Sequence, residues 1–252
     1  GTAPVGIYSM ATTFSELPLR IISGPIQNVL YPRITALHDN IKTVRTLFLF
    51  ITRMISVCII PGISMVAVAH EPIFHLVLSE KWREAGFVFM WMSPAAIILC
   101  VTALRGTLAI ALGQTTIWLK QSYEITLISI LSLICAVPFG IQWVAIAYSL
   151  AIILYIPRSL SKILPLIDVS LFDYFRTMYI PCGLSIASVL LYLATTQVSN
   201  TGDWNKFFVA VALGGAACLI SLALQKNIIK QDISALRHAL HNASPPSGAT
   251  DV

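Results

Sequence analysis

Residues 5–32, VGIYSMATTFSELPLRIISGPIQNVLYP, are long enough to cross a bilayer as a helix, yet carry Glu16, Pro18 and Arg20 near the middle. At about 1.5 Å per helical residue, roughly 20 residues cross the hydrocarbon, where an unpaired ion costs about 2.5–3.5 kcal/mol. At helical spacing Ser9, Thr13, Glu16, Arg20, Ser23 and Gln27 fall on one stripe, and Ile7, Phe14, Ile21 and Val29 lie mostly off it. Glu16 precedes Arg20 by four residues, the favourable order for a helical ion pair, so the two charges can simply neutralise each other. The alternative is a stripe lining a substrate cavity. The hydroxyls and the amide above and below the pair favour it, because a structural pair needs no polar track around it.

Outward from this stretch, the chain is 57% hydrophobic and 11% charged over 252 residues, where a soluble domain is about 25% charged. Its apolar residues come in bilayer-length blocks. Such blocks predict an all-α polytopic membrane protein, and they exclude a β-barrel, which needs alternation over about 10 residues. Cys58, Cys100, Cys135, Cys182 and Cys218 each fall in a predicted span without metal-ligand spacing, and are expected to pack as small apolar residues. The chain begins with Gly1, and nothing before the first span reads as a signal peptide, so a piece of something longer is expected.

About seven spans are predicted, at residues 5–33, 45–69, 86–112, 116–137, 141–163, 174–196 and 207–224. Pro61-Gly62 should kink the second. Residues 71–84, EPIFHLVLSEKWRE, read as an interfacial helix anchored by Trp82. Gly113-Gln114 and Pro138-Phe139-Gly140 mark tight turns. Residues 1–166 then form a bundle of five spans and 167–225 two peripheral ones, with Gly214-Gly215-Ala216-Ala217 suited to close helix packing. Residues 226–252 read as an amphipathic cytoplasmic helix followed by a tail of disordered composition.

Basic residues set the expected orientation. One set of loops holds Arg33, Lys42, Arg45, Lys120, Arg158, Lys162, Arg176, Lys226, Lys230 and Arg237; the other holds only Lys81, Arg83 and Lys206. The C-terminus is therefore expected in the cytoplasm and Gly1 on the far side, with an odd number of earlier spans missing.

No HExxH, phosphate-cradling glycine loop, GxSxG or paired loop carboxylates occur, and no loop is long enough for an external catalytic site. Neither an enzyme, a cofactor, a metal site nor a nucleic-acid partner is expected. The histidines, His38, His70, His75, His238 and His241, read as surface residues. What remains is intramembrane charge. Arg53, Arg105, Lys120 and Glu124 all lie about two turns from the basic ends of spans two, three and four. Each cation alone reads equally well as a snorkelling side chain. Together, with Arg20 above them, they would make an electropositive cavity for a phosphate or pyrophosphate headgroup, with Glu124 pairing Lys120 or titrating in an ion-coupled cycle.

Val5-Gly6-Ile7-Tyr8-Ser9, Leu17-Pro18, Val29-Leu30-Tyr31-Pro32, the later Leu78-Ser79-Glu80-Lys81-Trp82 and the TLAIALGQT stretch occur in order at spacings that resemble the C-terminal half of Wzx-type polysaccharide flippases. These belong to the multidrug/oligosaccharidyl-lipid/polysaccharide (MOP) exporter superfamily, and the likeness is nearest its colanic- and teichuronic-acid exporter branch. Ser79 stands where that pattern commonly has Gly, and the resemblance covers residues 1–166. It implies two helical bundles, about 12 to 14 spans in all, opening alternately to each side of a bacterial inner membrane. It implies an undecaprenyl-pyrophosphate-linked oligosaccharide as substrate and a partner N-terminal bundle that this chain does not contain. The substrate path would be lined by Ser9, Thr13, Glu16, Arg20, Ser23, Gln27, Arg53, Arg105, Lys120 and Glu124. Two alternatives stay open: a cation-coupled multidrug antiporter of the same superfamily, and a non-transporting membrane scaffold for glycosyltransferases.

Overall fold

The computed structural model describes residues 2–37, 40–198 and 202–242. The predicted disordered tail, His38 and Asp39 lie outside the described residues, as do the side chains of Ser23, His238 and His241. Among the described residues ten α-helices follow one another: α1 (Thr2–Ala36), α2 (Ile41–Val68), α3 (His70–Leu78), α4 (Arg83–Val101), α5 (Leu104–Ala111), α6 (Thr115–Ala136), α7 (Ile141–Ile163), α8 (Leu171–Arg176), α9 (Tyr179–Val198) and α10 (Asp203–Asn242). The described residues contain no strand, and the chain is an all-α polytopic membrane protein.

Among the described residues six segments are long and apolar enough to cross a membrane: 41–68, 80–111, 115–139, 141–167, 179–196 and 203–237. α1 is not among them, although its 35 residues reach about 52 Å. Its polar stripe dilutes its hydropathy, but it packs along α4 and α5 and so shares the slab those helices occupy. Pro18, Pro25 and Pro32 recur every seven residues, which places them, and the backbone bonds they remove, on the face opposite the stripe.

The third predicted span is two helices. Thr102 and Ala103 separate α4 from α5, with the Thr102 hydroxyl donating to Ile98 O at 2.7 Å and Ala103 N turning back to Cys100 O at 3.3 Å. A threonine that bonds the preceding turn in this way bends a helix without Gly or Pro. The two predicted turns are present: Gly113 and Gly140 have φ of +74° and +102°, a region that favours glycine. At the C-terminal end α10 continues unbroken through Gln225 and Lys226 to Asn242, so the predicted separate amphipathic helix is the last part of one helix of 40 residues. No breaker interrupts it, and at about 60 Å it exceeds the bilayer thickness.

The core lies where α1, α2, α4, α5 and α7 meet, filled by Phe48, Phe74, Met92, Leu104, Leu108, Ile152, Ile156 and Leu160. Tyr174 plugs one end: fully buried, it stacks on Phe48 at 6.0 Å and donates its hydroxyl to Val101 O at 3.1 Å. Burial pushes that phenol's pKa well above its ordinary value. α9 and α10 lie against α2 through a second cluster of Met65, Ala69, Tyr192 and Ala210. Within the small-residue run, Gly214 faces Met65 and Ala217 is buried, whereas Gly215 and Ala216 point outward. Cys100 alone of the five cysteines is buried, and Cys58, Cys135 and Cys182 are exposed on helix surfaces rather than packed.

Candidate functional site

α1 turns its Ala11, Ser15, Leu30 and Ile34 side inward and leaves the polar stripe outside the packed seam. Ser9, Thr13 and Arg20 are exposed, and Glu16 and Gln27 half-buried. Glu16 accepts a 2.7 Å bond from Arg20, whose side chain nevertheless stays 73% exposed. An ion pair this open at the middle of a bilayer-length helix needs water or protein beside it, because lipid would charge the full cost of its hydration. The Thr13 hydroxyl donates to Ser9 O at 2.8 Å, which satisfies the hydroxyl proton and leaves its oxygen free to accept. Beside the stripe a cavity of about 20 Å³ is enclosed by Thr12, Ser15 and Glu16 with Met92, Ala96 and Tyr148 of α4 and α7, room for about one water.

The deeper charges are not brought together. Arg53 pairs with Asp232 on α10 and forms part of the α2–α10 seam. Arg105 is buried in α5, where its Nη1 donates to the Thr102 hydroxyl at 3.3 Å and its guanidinium lies 5.7 Å from the Trp118 ring centre. Lys120 is exposed on α6. Glu124 does not pair with Lys120. Its carboxylate lies 3.3 Å from Lys162 and accepts the Tyr155 hydroxyl at 3.3 Å, both from α7, because those partners stand across the helix–helix contact. Equal depth in the membrane thus conceals different directions around each helix.

Sequence reading missed the buried clasp between α6 and α7. Ser159 donates to Gln121 Oε1 at 2.5 Å, Gln121 Nε2 returns a bond to Ser159 O at 3.2 Å, and Tyr155 donates to Gln121 O at 2.9 Å. A glutamine inside a membrane-length segment was the available signal. Two further sets of contacts define the ends of the bundle. Arg45 Nη1 donates to Asp168 O at 3.0 Å. At the other end His75 bridges Asp203 and Glu80, each at 3.0 Å. No group of three His, Cys, Asp or Glu suited to a metal ion occurs among the described residues.

Residues 1–86 match a family described as polysaccharide biosynthesis protein. An uncharacterized membrane protein in the cps region of Klebsiella pneumoniae is 21% identical over 245 residues, which are 94% of this chain and 49% of the relative. Among solved structures, the lipid II flippase MurJ in an inward closed conformation superposes with a TM-score of 0.72 at 15% identity, over 90% of this chain and 48% of that one. The chain therefore spans about half the length of each protein it matches. The chain is thus similar in sequence over residues 1–86 to a polysaccharide biosynthesis family, and in fold over most of its length to the lipid II flippase MurJ.

Proposed function

We propose that this chain forms the C-terminal bundle of a flippase that moves a lipid-linked oligosaccharide across a bacterial inner membrane by alternating access, with an undecaprenyl-pyrophosphate carrier. The uncovered polar stripe of α1 carries the reading: Ser9, Thr13, Glu16, Arg20 and Gln27 line a wall that needs an aqueous neighbour. In this reading the opposite wall belongs to a second bundle, which the resemblance implies, and the chain's coverage of 48% of the flippase it superposes on supports that reading. Arg20 is the cation best placed to meet pyrophosphate, since its guanidinium has donors to spare beyond the Glu16 bond. Arg53 and Arg105 are committed within the bundle and contribute through its architecture. The C-terminus lies in the cytoplasm in this arrangement, with the end marked by Arg45 and Asp168 facing inward.

The test is complementation by the complete protein in cells lacking it. Replacing both members of the pair, Glu16→Gln with Arg20→Ala, should abolish surface polysaccharide while the protein remains in the membrane at normal abundance. Normal polysaccharide from the double variant would refute the reading.

A further inference from the structure

At the Arg45 end of the bundle, α2, α8, the start of α9 and α10 line a cavity of about 320 Å³ to which α1 contributes nothing. Arg45, Arg53 and Arg176 line it, with Asp173 as the carboxylate among them and Leu49 and Ile228 as apolar wall. Arg53 is engaged by Asp232. Arg45 donates one bond to Asp168 O and stands 3.8 Å from Asp173. The Arg176 side chain makes no hydrogen bond or ion pair among the described residues and is exposed. Three guanidinium groups against the carboxylates of Asp173 and Asp232 leave one positive charge in excess. Each guanidinium carries five N–H donors, so most of them lack acceptors.

We propose that this cavity binds the phosphate of an anionic phospholipid. The chemistry is that of guanidinium with phosphate, which admits bidentate bonds. The surroundings select a lipid over a dissolved ion. Phe172, Phe175 and Tyr179 stand exposed by 75%, 46% and 61% around α8, the placement of aromatic side chains that anchor at headgroup level. The apolar wall of Leu49 and Ile228 can accommodate the start of an acyl chain but offers nothing to free phosphate. The lipid would fasten α8 and α10 to α2 without entering the α1 face, so the site is separate from the proposed substrate path.

The experiment uses the complete protein in neutral detergent, titrated with dioctanoyl phosphatidylglycerol, with retained lipid counted by native mass spectrometry. Dioctanoyl phosphatidylcholine and inorganic phosphate serve as comparison probes, the latter against chloride at matched ionic strength. Phosphatidylglycerol should bind at least tenfold tighter than phosphatidylcholine. Arg176→Ala should weaken it by about tenfold, the worth of one charge-assisted contact, and Arg176→Lys by less. The unliganded melting temperature should stay put, because Arg176 is exposed. Equal affinity for the two lipids, or unchanged phosphatidylglycerol binding in an Arg45→Ala/Arg176→Ala double variant, would overturn the proposal. Displacement of phosphatidylglycerol by phosphate but not by chloride would overturn the lipid assignment in favour of a free anion.

Discussion

Arg105 is a cation buried to 7% exposure with no carboxylate within ion-pair distance among the described residues. Its charge is met by the Thr102 hydroxyl and by the face of Trp118, a cation–π contact worth up to about 2 kcal/mol once water is excluded. Gly106 makes that contact feasible. A Cβ there would stand 2.7 Å from Trp118 Cζ2, which a real side chain cannot do, so the indole must move off the guanidinium. Gly106→Ala should therefore destabilise the protein by about 1–3 kcal/mol, as overpacking does, measured by SDS-induced unfolding in lipid–detergent mixtures. Gly183→Ala on α9, where a Cβ would meet nothing within 4 Å, should be neutral or stabilising through helix propensity. Equal effects at the two glycines would show that Trp118 is not held as described. The sequence revealed that Arg105 sits deep, because depth is counted in residues; it did not reveal that the side chain points at an indole, because that depends on how α6 crosses α5.

Between elements, polar side chains do what breakers do along the chain. Gly113 and Pro138-Phe139-Gly140 were legible as turns because their local chemistry permits little else. The break at Thr102 and the continuity of α10 were not, since a hydroxyl back-bond and a polar stretch without Gly or Pro leave no compositional mark. The α6–α7 contact shows the consequence for stability. α6 has little burial along its length, so its association with α7 leans on the Gln121–Ser159 pair and on Tyr155. Bonds of this kind inside membranes average about 0.6 kcal/mol and reach about 1.7. Gln121→Leu should cost about 1–2 kcal/mol in the same unfolding assay, and the cycle with Ser159→Ala should return a coupling near 0.6 kcal/mol. A coupling of zero would mean that the Ser159 hydroxyl adds nothing to the contact between α6 and α7.

At the scale of the whole molecule, the chain has two kinds of uncovered surface, and they differ chemically. α6 exposes Leu127, Ile130, Leu131 and Ile134, a surface lipid satisfies. α1 exposes Ser9, Thr13 and Arg20, a surface lipid does not satisfy. The period of the α1 stripe was readable directly from residues 9–27, whereas the second wall proposed for it is not among the described residues. Reaction with a membrane-impermeant, charged maleimide separates the cases, because the thiolate that reacts forms only in contact with water. In the complete protein, with Cys58, Cys100, Cys135, Cys182 and Cys218 replaced, cysteines at Ser9, Thr13 and Gln27 should label and those at Leu127 and Ile134 should not. A substrate analogue or a partner bundle closing over the stripe should slow labelling at Thr13 before it affects any position on α6. If the stripe positions stay unlabelled in every condition, Glu16 and Arg20 are a sealed structural pair, and α1 is a packing helix of a scaffold rather than the wall of a path.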